Sequence, residues 1–276
     1  MKNKILSPML DIIFKMLMGT EHSTEILTDF LMAVLKLPSE EYDGIIISNP
    51  FLIQEYKGDK LGILDVKLKL KSGKIIHIEI QIDPMPSMDT RILFYTSKLI
   101  TEQIGESEQY DKIKRVVSII ITGHKLIEHS EKYHHQFGLY DIENKVRFTD
   151  ALEIHTLEIP KTRQLSEDTG NANLLNWMKF LDAKTEEELT MLAEKSPVMK
   201  KATLRLMELS ADEKARQLYD ARLKEQRDIY AREQGAAKQK ALSIAKNLLG
   251  TSMPVDQIAA VTDLTLEEVE TLRSVG

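Results

Sequence analysis

The chain has 276 residues, of which 42% are hydrophobic, and its formal net charge is −6. It contains no cysteine, which excludes disulfides, thiolate zinc sites and a cysteine nucleophile, so any metal must be held by oxygen or imidazole ligands. The negative charge argues against indiscriminate coating of nucleic acid. No segment approaches the ~18 apolar residues of a membrane span, and Asp11 and Lys15 interrupt the N-terminus before a signal-peptide core could form, so we expect a cytoplasmic protein.

The first part of the chain predicts two helices and a strand. Ser7 and Pro8 are typical of a helix start, with serine as the N-cap and proline at the first helical position, and Gly19 is placed to end this helix. A second helix is expected after Ser23, because apolar residues follow at core spacing. Residues 45–47 then form a short strand candidate.

Residues 62–70 and 75–82 alternate polar and apolar side chains with period two, which is typical of strands that bury one face. The apolar side chains share one face and are Val66, Leu68, Leu70, Ile76, Ile78, Ile80 and Ile82. The opposite face collects two carboxylates, an amine and an amide, which belong to Asp65, Glu79, Lys67 and Gln81.

The turn between these strands determines which side chains face each other. A two-residue loop would put Asp65 on the apolar face, because a one-residue slip reverses every side chain. A three-residue loop at residues 72–74, with glycine available for positive φ, keeps the polar face intact. It predicts that Asp65 lies opposite Gln81. Lys67 would then face Glu79, and the two carboxylates would be diagonal neighbours that can converge on one cation.

This carboxylate pair predicts a metal site. Together with the Ile80 carbonyl, Asp65 and Glu79 offer hard oxygen ligands for Mg²⁺ or Mn²⁺. Such a cation can polarise a phosphodiester and lower the pKa of a bound water. The alternative is a solvent-facing hairpin in which Lys67 forms ion pairs with the two carboxylates, an arrangement that stabilises a protein little.

A third helix is expected from Ser87 to about Ile104. Within it, Arg91, Tyr95 and Lys98 form a stripe that could contact phosphates. A solvated helix face would show the same spacing, so both interpretations stay open.

Residues 115–122 are a continuous β-branched run, which predicts a central strand buried on both faces. Four histidines follow in a segment that we interpret as a loop: His124, His129, His134 and His135. Their spacing fits no helical zinc pattern, so a metal role is not expected there. A last strand is predicted at residues 152–159.

The C-terminal part predicts helices only, including a long charged helix at 211–249. The element order indicates an α/β core at 1–165, a helical extension at 166–250 and a two-helix tail at 251–276. The tail has the spacing of a helix-turn-helix, but its second helix is acidic, so a protein contact or capping of the long helix is the preferred interpretation. The long helix could pair with a second copy and form a homo-oligomer.

Four ordered elements of this sequence resemble the PD-(D/E)XK nuclease superfamily, in particular its Rpn or YhgA-like, transposase-type group. Residues 11–15 resemble the opening D-x-x-F-K element of that group, and residues 64–67 resemble its aspartate strand. Residues 78–81 resemble its I-E-I-Q strand, and residues 91–95 its R-x-x-x-Y helix pattern. The resemblance covers roughly residues 5–160.

The resemblance implies a restriction-endonuclease-like α/β core, with a mixed central sheet flanked by helices. It implies a metal-dependent DNA endonuclease that hydrolyses phosphodiesters with a Mg²⁺-activated water and is linked to DNA recombination and mobile elements. By the same resemblance, Asp65 and Glu79 would ligate Mg²⁺ or Mn²⁺, and Asp11 would be the accessory acid from the first helix.

Gln81 departs from the superfamily pattern, because it stands where that pattern has a lysine. An amide can orient the attacking water but supplies no positive charge. Lys67 or Lys15 would supply that charge, or the metal would carry more of the stabilisation. Three function classes follow: a DNA endonuclease, a catalytically weak or inactive nuclease fold that binds DNA or regulates, and an RNA-directed enzyme. The candidate contacts to nucleic acid are Lys15, Arg91, Tyr95 and Lys98.

Overall fold

The structure, a computed structural model, describes residues 5–20, 23–48, 66–165 and 170–275. These residues form a mixed six-stranded sheet flanked by helices, followed by further helices towards the C-terminus. The predicted α/β class with a helical C-terminal extension is confirmed. No helix in the described ranges is long and apolar enough to cross a membrane.

The strands are β1 Ile46–Ser48, β2 Val66–Lys69, β3 Ile75–Gln81, β4 Val116–Thr122, β5 His134–Tyr140 and β6 Arg147–Glu158. The helices are α1 Asp11–Met18, α2 Thr24–Leu35, α3 Met88–Thr101, α4 Ala172–Asp182, α5 Glu186–Ala193, α6 Pro197–Ala211, α7 Glu213–Leu249, α8 Val255–Thr262 and α9 Leu266–Val275. The strand order is β1-β2-β3-β4-β6-β5. The β3–β4 and β4–β6 pairs are parallel, whereas the other neighbours are antiparallel.

Strand β4 is the centre of the sheet. All of its residues are buried, and it has a parallel neighbour on each side. This is the predicted strand with two buried faces, since a β-branched run can fill space on both sides of a sheet. Helix α3 packs on one of these faces through Met88, Ile92 and Leu99, which are buried.

The β2–β3 hairpin has the predicted odd loop, but the loop lies one residue earlier. Residues 71–73 form it, because the Leu70 N–H donates to the Lys74 carbonyl at 2.9 Å and the Gly73 N–H donates to the Leu70 carbonyl at 2.9 Å. Gly73 has a φ of 88° at the third loop position. In the predicted loop Lys74 would have taken this position, and a side chain there is strained whereas glycine is not.

The shifted loop changes the register of the hairpin by two residues. Lys67 pairs with His77. The predicted pairing of Lys67 with Glu79 is therefore wrong. Every described side chain keeps its predicted face, since a shift by two preserves the alternation of a strand. The predicted pairing of Asp65 with Gln81 lies outside the described residues, because the description of this strand begins at Val66.

Two further sequence predictions are corrected by the structure. Helix α1 begins at Asp11 and not at Pro8, because the Leu10 N–H donates to the Ser7 carbonyl in a preceding turn that buries Leu10. His134 and His135 lie in strand β5 and not in a loop. Strand β5 pairs with a β6 that begins at Arg147, five residues before the predicted start.

The chain forms two compact units, Met1–Tyr219 and Asp220–Gly276. In the first unit the Trp177 ring of α4 packs edge-on against Phe30 of α2, with ring centroids 5.8 Å apart, and its indole N–H donates to Asp29 at 2.7 Å. In the second unit the tail helices α8 and α9 pack on the end of α7 around Ala245, Ile258 and Val269. Each unit thus has its own apolar core.

Candidate metal and nucleic-acid site

Glu79 lies on the polar face of β3, and only 8% of the residue is exposed. Its Oε1 atom is 3.6 Å from Nη2 of Arg91 on α3. Its Oε2 atom is 3.6 Å from Nε2 of His77, two residues earlier on the same strand. A carboxylate at this depth is costly unless cations or hydrogen-bond donors compensate its charge, so these neighbours define the local electrostatics.

His77 is a residue of this site that the sequence interpretation missed. It is 1% exposed, and neither ring nitrogen has a hydrogen-bond partner among the described residues. Burial, together with the nearby charge of Lys67, lowers the pKa of His77 to about 3, so the ring is neutral at pH 7. The available signal was its spacing, because position i−2 from Glu79 puts it on the same strand face.

Helix α3 brings Arg91 to the carboxylate. The guanidinium carbon lies 5.1 Å from the centre of the Tyr95 ring, one turn along the helix. Tyr95 itself is largely buried and packs against Leu99 and Val116. Of the three residues in the predicted stripe, Arg91 therefore contacts Glu79, and the Tyr95 ring packs against its guanidinium. Lys98 lies in the last turn of α3 and is partly exposed.

Gln81 lies at the carboxyl end of β3 and is partly exposed. Its side-chain N–H donates to the carbonyl of Asp83 at 3.0 Å. The side chain of Ile80, whose carbonyl is the predicted backbone ligand, is buried on the apolar face of the strand. The polar face of β3 therefore presents His77, Glu79 and Gln81 in sequence.

The remaining predicted residues lie on strand β2 and helix α1. Lys67 on β2 extends towards Glu102, with 3.7 Å between Nζ and Oε2. Asp11 is the first residue of α1, and Lys15 follows one turn later; both are partly exposed. The end of α1 lies beside the start of β2, because a Cβ atom at Gly19 would be 3.4 Å from Cγ2 of Val66.

The described residues contain no group of three or more histidine, cysteine, aspartate or glutamate side chains that could hold a metal. Asp65, the second predicted carboxylate, lies outside these residues and directly precedes Val66. Among the described residues, this face contains the Glu79 carboxylate and, 3.6 Å from it, the neutral imidazole of His77, whose ring nitrogens have no hydrogen-bond partner there. Carboxylate and neutral imidazole are both ligands for divalent cations, so this donor set fits a metal ion.

A second polar cluster lies at the β5–β6 edge of the sheet and contains His134, one of the predicted loop histidines. His134 Nε2 is 2.8 Å from His155 Nδ1, and His155 Nε2 is 2.6 Å from Glu153 Oε1. Arg115 and Arg147 both form ion pairs with Glu153. These contacts link β5, β6 and the residue that precedes β4, and they compensate the charge of Glu153, which is 3% exposed.

We expect this cluster to make stability depend on pH. Burial is the main cause that lowers the pKa of both His134 and His155 to about 4, and the charge of Arg115 also lowers that of His155. An unfolded histidine titrates near 6.5, so between about pH 6.5 and 4 the unfolded chain binds protons that the folded chain does not. The stabilisation is complete above pH 6.5, and we expect the free energy of unfolding to fall by more than about 2 kcal/mol between pH 7 and pH 4.5.

Urea titrations followed by the fluorescence of Trp177, the sole tryptophan, measure this dependence. His134→Gln should flatten the slope of stability against pH in this window. The exposed His129 provides the matched variant, His129→Gln, which should keep the slope of the parent chain. Identical slopes in all three proteins would contradict the role of the cluster.

A family model described as PD-(D/E)XK nuclease family transposase matches residues 8–236. The match spans the sheet, helices α1 to α6 and most of α7. No curated protein and no solved structure matches the chain significantly.

Proposed function

Because the match over residues 8–236 shows that this chain belongs to the PD-(D/E)XK nuclease family transposases, we propose that it is a metal-dependent endonuclease that hydrolyses phosphodiester bonds of DNA. The observation that carries the proposal is the placement of Glu79. The buried Glu79 carboxylate lies between Arg91 of α3 and the uncharged His77. Glu79 and His77 are both on β3, the strand that carries the I-E-I-Q motif. Perturbed and strongly buried ionisable groups of this kind concentrate at functional sites.

Glu79 would hold Mg²⁺ or Mn²⁺ together with Asp65 and the carbonyl of Ile80. A divalent cation in such a site supplies Lewis-acid polarisation of the phosphodiester and a lower pKa for the attacking water. Gln81 would orient that water through its amide, with Lys67 supplying positive charge nearby and Asp11 serving as an accessory acid. The low exposure of Glu79 supports this assignment, because a dry site strengthens the interaction of a carboxylate with a cation.

Arg91 would bind the phosphate of the substrate. Its guanidinium is held near Glu79 at one end and against the Tyr95 ring, so its planar donor group is oriented before DNA arrives. Lys98, on the same helix, and Lys15, on α1, would extend this contact along the backbone of the nucleic acid. Phosphate contacts of this kind position a duplex and carry no information about its sequence.

The biological setting is also proposed. The word transposase in the family description supports a role in DNA recombination and mobile elements. We propose that the protein acts in the cytoplasm and forms a homo-oligomer through α7, whose exposed residues include Leu218, Ile229 and Tyr230. For the domain organisation we propose a nuclease core at 1–165, a helical extension at 166–250 and a two-helix tail at 251–276.

A second candidate is a nuclease fold that binds DNA or regulates without efficient cleavage. The observation in its favour is Gln81, whose side-chain N–H donates to the carbonyl of Asp83. That bond uses one of the two amide N–H donors and holds the side chain towards Asp83, and an uncharged amide supplies no positive charge to the attacking water. A protein with this restriction would bind DNA and a cation but turn over slowly.

The proposed function is tested by incubating the purified full chain with supercoiled plasmid and either Mg²⁺, Mn²⁺ or EDTA. Nicked or linear plasmid that forms only with metal supports the endonuclease. Retarded but intact plasmid in all three mixtures favours the binding module. An RNA of matched length is included, because preferential cleavage of that RNA would reassign the substrate.

A further inference from the structure

The buried ring of His77 has an unusual environment. Among buried side-chain polar atoms, the large majority have a hydrogen-bond partner, and each exception needs a physical explanation. Here both ring nitrogens lack such a partner within the described chain, although the residue is 1% exposed. A ring with two unsatisfied nitrogens costs free energy that a leucine or phenylalanine at this position would not.

The packed neighbours of His77 do not satisfy the ring. Ser118, its partner on β4, shares a hydrogen bond of 2.8 Å with Thr96 of α3. Thr96 also donates to the carbonyl of Ile92 at 2.7 Å. Lys67, its partner on β2, extends towards Glu102. Within the described ranges, Ser118 and Lys67 are thus directed to other partners, and the Glu79 carboxylate lies 3.6 Å from the ring.

We propose that His77 is a nitrogen ligand of the cation that Glu79 binds, through its Nε2 atom. This inference rests on the proposed function, because it requires a cation at Glu79. His77 Nε2 and Glu79 Oε2 are 3.6 Å apart, which two atoms can span when each lies about 2.0–2.3 Å from one ion. Oε1, on the other side of the carboxylate, is the atom that faces Arg91, so the guanidinium does not separate the two ligands.

The chemistry of this pair determines which cation it prefers. Oxygen ligands alone suit Mg²⁺, whereas an imidazole nitrogen adds affinity for transition metals such as Mn²⁺ and, more strongly, Co²⁺. A ring that is buried has little conformational freedom to lose on binding. The site of this chain therefore selects a transition metal over Mg²⁺, and His77 is the residue that determines the selection.

The experiment uses the untagged full chain, so that no other histidine cluster is introduced. Pulsed EPR of bound Mn²⁺ detects coupling to a directly coordinated ¹⁴N nucleus, and calorimetric titrations measure Mn²⁺ and Mg²⁺ affinities. We expect nitrogen coupling in the parent protein and its loss in His77→Gln. We also expect Mn²⁺ affinity to fall by at least about tenfold in that variant, and Mg²⁺ affinity to change by less than about threefold.

The matched control is His129→Gln, which removes an exposed histidine and should retain both the coupling and the affinity. Mn²⁺ bound without nitrogen coupling in the parent protein would overturn the assignment of His77, and this result does not depend on the folding of any variant. If that Mn²⁺ still required Glu79, the proposed metal site would stand. Undiminished Mn²⁺ binding in Glu79→Gln would overturn the proposed site and the His77 ligand together.

Discussion

Replacement of Glu79 by glutamine is expected to lower the rate of metal-dependent DNA cleavage by at least about a thousandfold. The change keeps the size of the side chain and removes its charge, so the cation loses a ligand whose site contributes several kcal/mol of transition-state stabilisation. The fold should survive the substitution. The side chain of Arg91, which faces Glu79, is 39% exposed, so its guanidinium remains hydrated when the carboxylate is neutralised.

Cleavage of supercoiled plasmid under single-turnover conditions measures this effect, with urea unfolding as the measure of stability. Glu106→Gln is the matched control, because Glu106 is exposed and lies in the segment after α3. It should cleave at the rate of the parent chain. A Glu79→Gln protein that cleaves within about tenfold of the parent would place the chemistry elsewhere in the molecule.

The polar and apolar faces of the β2–β3 hairpin could be predicted because the period of a strand is local information. The sequence placed Val66 and Leu68 on one face of β2 and Lys67 on the other, and the burial of β2 alternates accordingly, whereas both faces of β3 are buried. The register was wrong by two residues. The register depends on which loop residue adopts a positive φ, and here that residue is Gly73. Alternation along the strands does not distinguish this loop from one that begins one residue later.

Strand β5 could not be recognised by the same reasoning. Its sequence contains two histidines and Gly138, and its residues are exposed or half-buried. It is an edge strand that pairs with β6 on one side, and a bulge interrupts the register near Leu139. No face of such a strand is fully buried, so the alternation that identifies a strand is absent from its sequence.

The environment of His77 depends on contacts that no local pattern contains. The ring is buried because strands β2 and β4 flank β3 and helix α3 covers the sheet. Sequence alone places His77 on the face of Glu79 but does not indicate that its nitrogens lack partners. The same limit applies to Trp177 and Asp29, which are hydrogen-bonded across 148 positions of the chain.

A buried ion pair at the end of β6 leads to the largest expected change in stability. The side chains of Glu158 and Lys161 are both 0% exposed, and their charged atoms are 2.7 Å apart. Oε2 of Glu158 also accepts from the backbone N–H groups of Leu126 and Ile127, and Lys161 donates to the Ile127 carbonyl. The pair therefore fixes the segment that connects β4 to β5.

Lys161→Met is expected to lower the free energy of unfolding by about 3 kcal/mol or more, because it leaves the Glu158 carboxylate buried without its cation. Urea unfolding followed by Trp177 fluorescence measures the loss. Lys125→Met is the matched control, since it breaks an exposed pair with Glu131 and should cost less than about 1 kcal/mol. The double variant with Glu158→Gln should recover part of the loss, because the uncompensated charge is then absent. Equal stability of Lys161→Met and Lys125→Met would show that the carboxylate is compensated without Lys161, by its backbone donors and by His135, whose Nδ1 is 3.4 Å from Oε1.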